Sequence, residues 1–167
     1  MQMPGNTELS IQERAHLLKL GAHEVALLRL AYRYEPEEDK LYLSNGACVD
    51  EQTLMTQGFG CYGHTFLQFC RIFSRLELTI EEFVLLCCIV FFSHGTNDAR
   101  RRTNAYLSGI LDRIEGQATR LKVEELQTRY CEIERLSIAR NRANDPMHFT
   151  KLLLLLSKLR ALDALSE

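Results

Sequence analysis

An all-α domain with one small β-turn is the fold that this sequence predicts, on three observations. Helix-start signals stand in front of long apolar-periodic segments. One Asn-Gly pair, Asn45-Gly46, supplies a hairpin signal between two short apolar runs. The 167 residues are 46% apolar, which is enough to build one substantial core and makes a single domain the expected organisation.

Each element has its own local signal. Ser10-Ile-Gln-Glu13 has capping-box spacing, in which the hydroxyl accepts from one orphan amide and the glutamate accepts from the cap's own amide. The helix it opens is expected to run to about Tyr34. Leu41-Tyr-Leu43 and Ala47-Cys-Val49 flank Ser44-Asn45-Gly46, which predicts a tight hairpin. Asp50 then caps a short helix to about Thr56, Gly58-Phe-Gly60 breaks it, and the aromatic-rich stretch from Tyr62 to Leu76 reads as a buried helix. Thr79-Ile-Glu-Glu82 repeats the capping box, with Leu78 and Phe83 placed to close a hydrophobic staple, and its helix ends near Ser93. Gly95 to Arg102, which includes Arg100-Arg101-Arg102, reads as a solvated connector. Ala105 to Ile114 and Leu121 to Arg142 read as helices with polar outer faces. Asp145-Pro146 sets a good cap before a proline at the first helical position, and the last helix runs to about Leu165.

Composition excludes several function classes. With 20 basic against 22 acidic side chains there is no electrostatic footprint for a phosphate backbone, so no direct nucleic acid binding by this segment is expected. The longest apolar stretch, Phe83 to Phe92, is about half of the roughly 20 residues a membrane span needs, so no membrane partner is expected. The start, Met1-Gln-Met-Pro-Gly-Asn, has neither the basic region nor the apolar core of a signal peptide. Cys48, Cys61, Cys70, Cys87, Cys88 and Cys131 fall mostly in apolar runs without a regular framework, which suits a reducing cytosol or nucleus. Cys61-Tyr-Gly-His64 offers one pair of metal ligands with no second pair nearby, so no metal site is expected. Phosphate-loop and dinucleotide patterns are missing, and no glycine-rich or strand-turn-helix context supports a Cys/His nucleophile. The reading is therefore not an enzyme but a binding domain. The acidic cluster Glu35, Glu37 and Glu38 reads as a solvated loop, and Glu124-Glu125 as a solvated helix face.

From Ala15 to Tyr34 apolar residues occur almost all round the first helix, which predicts a helix sandwiched inside the domain. Glu24, Arg29 and Arg33 then need partners, and the two arginines share a face because they are four apart. Ion pairing with other helices and an anion-accepting pocket both fit. His16 and His23 read as core or rim residues.

On these residues the chain resembles a known family. Ser10-Ile-Gln-Glu-Arg-Ala-His-Leu-Leu-Lys19, with Glu24, Leu28-Arg29 and Arg33-Tyr34, resembles the end of helix 3 through helix 5 of nuclear-receptor ligand-binding domains, where an Asp-Gln pair stands in place of Glu13-Arg14. Leu41 to Val49 looks like the family's β-turn, Phe66 to Leu78 like its helix 7, Glu81-Glu82-Phe-Val-Leu-Leu86 like the start of helix 8, and His148 to Leu162 like helix 10. The flavour is that of the thyroid-hormone, retinoid-orphan and Rev-Erb side. The resemblance implies an antiparallel α-helical sandwich, truncated at both ends, with residues 1–167 forming one partial domain and an atypical insertion over 95–120. The family's Asp-Arg after helix 8 is missing near Gly95-Thr96, so Glu24, its structural ion-pair residue, is expected to use one of Arg100 to Arg102.

The resemblance also implies partners and sites. Arg14, Ala15 and Lys19 match a groove for a leucine-rich coregulator helix, where a lysine meets the negative end of the peptide's macrodipole. Ala26, Arg29, Leu30, Arg33 and the β-turn Ser44 match the pocket for a small lipophilic or acidic ligand, with the arginines taking an acid group. Leu154, Leu155 and Lys158 match the seam for a nuclear-receptor homo- or heterodimer partner. Leu152 to Leu156 also has coregulator-type Leu-x-x-Leu-Leu spacing, as any five-leucine run does. No cofactor is expected, because the chain ends at Glu167, before the histidine of haem-binding members and before the activation helix. Transcriptional regulation in the nucleus is the function this implies, with a helical scaffold or adaptor as the alternative and a small all-α enzyme third.

Overall fold

The computed structural model describes residues 8–56, 60–93 and 117–165. They form α1 (Ile11–Ala31), β1 (Tyr34–Glu35), β2 (Lys40–Tyr42), β3 (Cys48–Val49), α2 (Glu51–Leu54), α3 (Gly60–Ser74), α4 (Ile80–Ser93), α5 (Gln117–Asn141) and α6 (His148–Leu165). The all-α expectation with one small β element holds. The Gly58-Phe59 break, the connector from Gly95 to Arg102, the helix expected from Ala105 to Ile114 and most of the 95–120 insertion lie outside the described residues.

Local chemistry sets the boundaries. The Ser10 amide donates to Glu13 Oε2 at 2.5 Å and the Glu13 amide donates to Ser10 Oγ at 3.3 Å, which closes the capping box before α1. α1 stops at Ala31, short of Tyr34, because Tyr34 enters β1, a strand too short to leave a periodic signal in the sequence. β1, β2 and β3 form an antiparallel sheet in that order, with Tyr34 opposite Leu41 and Leu41 opposite Val49. The β2–β3 hairpin closes through the Leu43 amide to Ala47 O at 2.8 Å and turns on Gly46, whose φ of +81° suits a residue without Cβ. Asp50 caps α2 by accepting from the Thr53 amide at 2.7 Å. Thr79 immediately precedes α4, as its capping-box position requires. At the last helix Pro146 lies in the preceding turn, not at the first helical position, and Asp145 accepts from Lys151 Nζ at 2.7 Å.

The chain divides into two compact units, Met1–Ala22 with Glu81–Ser137, and His23–Ile80 with Ile138–Glu167. In the first, Phe92 of α4 stacks on Tyr130 of α5 with ring centroids 5.5 Å apart and planes 15° from parallel. Burial, reinforced by the Cys88 thiol, pushes the Tyr130 hydroxyl up to about 12. In the second, α3 packs along α6 and against α2 and β1. Phe66, Phe69 and Phe73 form a ladder down α3, and Tyr32 meets Phe73 edge-on at 6.4 Å.

One expectation fails. α1 is not sandwiched: it buries one face, Leu17, Gly21, Glu24, Leu27, Leu28 and Ala31, and leaves Ala15, Leu18, Ala22, Ala26 and Arg29 exposed. The spacing of the stripe is that of one helical face. Small and apolar residues on the outer face disguise the amphipathic phase. Similarly, the leucine run of α6 has a phase that composition hides: Leu152, Leu155, Leu156, Leu159 and Leu162 are buried, whereas Leu153, Leu154 and Leu165 are exposed. Among the described residues no helix is long and apolar enough to cross a membrane.

After α3 the chain reverses through Glu77, which adopts a left-handed φ of +45°. Its amide donates to Ser74 O at 3.0 Å, and its carbonyl accepts from Arg142 at 2.6 Å. The left-handed region costs a residue with Cβ roughly 1–2 kcal/mol, against roughly 0.5–1 kcal/mol for glycine's extra backbone entropy. Glu77→Gly should therefore stabilise the protein by about 0.5–1 kcal/mol in thermal melts. A fall in stability would show that the Glu77 side chain, not its backbone, sets this turn.

Candidate functional site

The site residues fall on three surfaces, each built from one or two elements. On the first half of α1, Lys19 and Ala15 are exposed and Arg14 is half-buried. Beside them Ile11 is 77% exposed and Leu18 59% exposed. Ile11, Ala15, Leu18 and Ala22 succeed one another at helical spacing, so this half of α1 presents an apolar stripe edged by the Lys19 and Arg14 cations. Sequence reasoning misses Ile11 and Leu18, because an apolar residue in an apolar helix carries no mark of which way it points.

The second surface lies where α1 gives way to the sheet. Arg33 donates through its guanidinium to Ser44 Oγ at 2.8 Å, and the Tyr42 amide donates to Arg33 O at 3.3 Å, so the loop after α1 is tied to the hairpin twice. Arg33, Ser44, Arg29 and Ala26 are exposed and Leu30 is half-buried. Both arginines therefore stand outside the core, contrary to the buried setting expected of them, and among the described residues Arg29 pairs with no carboxylate. The contact at Ser44 is made by its hydroxyl. Glu24, by contrast, is 2% exposed and already engaged, while its expected partners Arg100 to Arg102 lie outside the described residues.

The third surface is α6. Leu154 is 60% exposed and Lys158 is exposed, but Leu155 is 1% exposed and belongs to the chain's own interior. Leu154, Lys158, Ala161 and Leu165 form an outward stripe, and Lys158, Ala161 and Leu165 also edge a groove of about 200 Å³ floored by Phe69, Ile72 and Leu162. With Leu152, Leu155 and Leu156 all buried, the Leu-x-x-Leu-Leu spacing of this helix faces inward and offers nothing to a groove on another molecule.

A polar cluster that no sequence motif announced joins α3 to the turn before β2 and to the start of α2. Arg71 of α3 donates to both carboxylate oxygens of Asp39, at 2.9 and 2.7 Å, and to Glu51 Oε2 at 2.9 Å. Asp39 also accepts from the Tyr34 hydroxyl. Glu51 meets His64 Nδ1 at 2.5 Å, and His64 Nε2 meets Gln68 at 2.8 Å. The Arg71 hydrogen bonds, followed by that of Tyr34, pull the Asp39 carboxyl down to about 2. Glu51 is lowered by Arg71 and then His64, and the Arg71 guanidinium is raised by the two carboxylates. His64 is thus engaged with Glu51 and Gln68 and not with Cys61, and among the described residues no cluster of three or more ligating side chains could hold a metal.

Known proteins share this sequence pattern. A family model described as the ligand-binding domain of nuclear hormone receptors matches residues 1–166. Retinoic acid receptor alpha-B of Danio rerio is 26% identical over 163 residues, covering 98% of this chain and 32% of its own length. Retinoic acid receptor alpha of Takifugu rubripes is 27% identical with the same coverage. The ecdysone receptor of Lucilia cuprina is 28% identical, covering 96% of this chain and 19% of its own length. The chain thus spans about a third or less of the relatives it matches.

The Arg71 cluster has a pH signature. Asp39 has a folded value near 2 against about 4 unfolded, so its contribution to stability is complete above about pH 4 and is lost as pH falls through about 2. Arg71→Met should lower the melting temperature by roughly 2–4 °C at pH 6, a small effect because the cluster is partly exposed. By pH 2 the gap between variant and wild type should close. A gap of equal size at both pH values would show that Arg71 acts by packing instead of charge.

Proposed function

The chain belongs to the family of nuclear hormone receptor ligand-binding domains, and on that premise we propose that it regulates transcription in the nucleus through a ligand, a coregulator and a dimer partner, and not by catalysis. The single observation that carries the ligand is the Arg33–Ser44 contact: a cation with several donors left over, held by a hydroxyl and lying in the turn just beyond α1, off the helix that carries Arg29. Such a group suits a carboxylate, which a guanidinium takes through two parallel hydrogen bonds. Two of the relatives are named for retinoic acid, itself a carboxylic acid. We assign the acid end of an apolar ligand to Arg33, with Arg29, Ala26, Leu30 and Ser44 around it.

The coregulator reading rests on the exposed Ile11, Ala15, Leu18 and Ala22 stripe, which offers an amphipathic helix an apolar bed with Lys19 placed for its C-terminal carbonyls. The dimer reading rests on Leu154 and Lys158, with Leu165 continuing their stripe; Leu155 supports this helix from within. A helical adaptor without a ligand remains the competing reading, and acid-selective binding separates the two.

Retinoic acid and its alcohol, retinol, differ at the head group and serve as probes. Titrated by quenching of its tyrosine fluorescence, since the sequence has six tyrosines and no tryptophan, the protein should prefer the acid by about tenfold, and Arg33→Met should abolish the preference while retaining the alcohol affinity; a tenfold preference is about 1.4 kcal/mol, within reach of one charge-assisted hydrogen bond. No preference in the wild type would exclude the acid site. For the two docking faces, Leu18→Asp should abolish binding of a leucine-rich coregulator peptide and Leu154→Arg should shift the sedimentation profile toward monomer. Unchanged binding and unchanged association would remove those assignments.

A further inference from the structure

We propose that Arg71 is a positioning residue for the Arg33–Ser44 acid site, acting through Asp39 and the sheet without touching the ligand. The proposal rests on the acid-site reading above and adds to it the element that decides its selectivity.

Little holds the sheet in place. Its strands have two, three and two residues, and an isolated hairpin of that size is marginal in water. Its inner face has Tyr34, Leu41 and Val49, all buried. That burial fixes how deep the sheet sits. It does not fix rotation or sliding in the plane, because apolar contact is non-directional. Directional constraint comes from the forked hydrogen bonds of Arg71 to both oxygens of Asp39, where the planar guanidinium meets a planar carboxylate in one orientation. Asp39 is the residue before β2 and has a left-handed φ of +53°, so a fixed Asp39 fixes the direction in which β2 leaves the turn. The third donor bond, to Glu51, holds the start of α2, two residues beyond β3, on the same guanidinium. Arg71 thus grips the sheet at the entry to β2 and just past the exit from β3, and the free end between those grips is the hairpin tip that carries Ser44.

Ser44 in turn orients Arg33. If the tip drifts by about an ångström, the hydroxyl leaves hydrogen-bond range and the arginine regains its rotamers, which weakens recognition of an acid head group without altering the apolar contacts of the rest of the ligand. A second clip, from Tyr42 Oη and Lys40 Nζ to Glu38, joins β2 to the turn before it and does not reach α3. It cannot substitute for Arg71.

The test measures the ratio of retinoic acid to retinol affinity in wild type, Arg71→Met, Arg71→Lys and Asp39→Asn. Asparagine tolerates the left-handed backbone at position 39, so that variant removes the charge with the turn left intact. Arg71→Met and Asp39→Asn should each lower the acid preference about tenfold with the alcohol affinity unchanged, and Arg71→Lys should recover part of it, since lysine keeps the charge without the fork. Parallel weakening of both ligands would reduce Arg71 to a structural residue and overturn the proposal. An unchanged ratio in all three variants would overturn it too, by showing that burial of Leu41 and Val49 is sufficient. A wild type with no acid preference would overturn the acid site itself, and this proposal with it.

Discussion

Strands of two and three residues cannot define a site by their own ladder, so the position of the hairpin tip has to be imposed from outside the sheet. We propose that among the described residues the directional part of that constraint is the Arg71 guanidinium of α3. Arg71 joins the turn before β2 to the start of α2 through three hydrogen bonds, two of them forked onto one carboxylate. The aromatic ladder of α3 and its packing on α6 give that guanidinium a firm base. Its proposed reach is local: the hairpin's direction, the Ser44 hydroxyl, and through that hydroxyl the orientation of Arg33.

α1 supplies the complementary half of the design. Its buried stripe gives the helix an inside, and the residues off that stripe differ in character at its two ends. Toward the N-terminus the exposed residues are apolar with a flanking lysine, the surface we propose for another helix; toward the C-terminus Arg29 is exposed, with Arg33 in the turn just beyond the helix, the surface we propose for an anion. The α6 run works on the same principle. Its buried leucines fix the helix in place, so that Leu154 can remain outside at 60% exposure without cost to the core.

How much of this is legible in the sequence depends on the range of the interaction. The capping box at Ser10, the Asp50 cap and the Asn-Gly hairpin act over a few residues, and each stands in the structure where the sequence puts it. The family resemblance is carried by motifs of the same short range, and a match over residues 1–166 supports it. Arg71 is illegible because its carboxylates lie 32 and 20 residues away, with no spacing rule that links an arginine in the last turn of a helix to a distant turn. The phase of α1 is illegible for another reason. Alanine and leucine on its outer face look like core residues, and the expectation of a sandwiched helix comes from composition where only neighbours could decide. Leu155 shows the same difficulty: in five successive leucines nothing distinguishes the three that face inward from the two that do not.

We propose that a hairpin held by α3 presents Arg33 to an acid head group, and the most direct measurement of this is an NMR titration of the protein with retinoic acid. The signals to monitor are the Arg33 Nε–H and the Ser44 and Leu43 amides. These signals should shift together and saturably with the acid, and stay in place with retinol. Shifts of the same size with both ligands, or shifts confined to residues away from Arg33 and the hairpin, would contradict it.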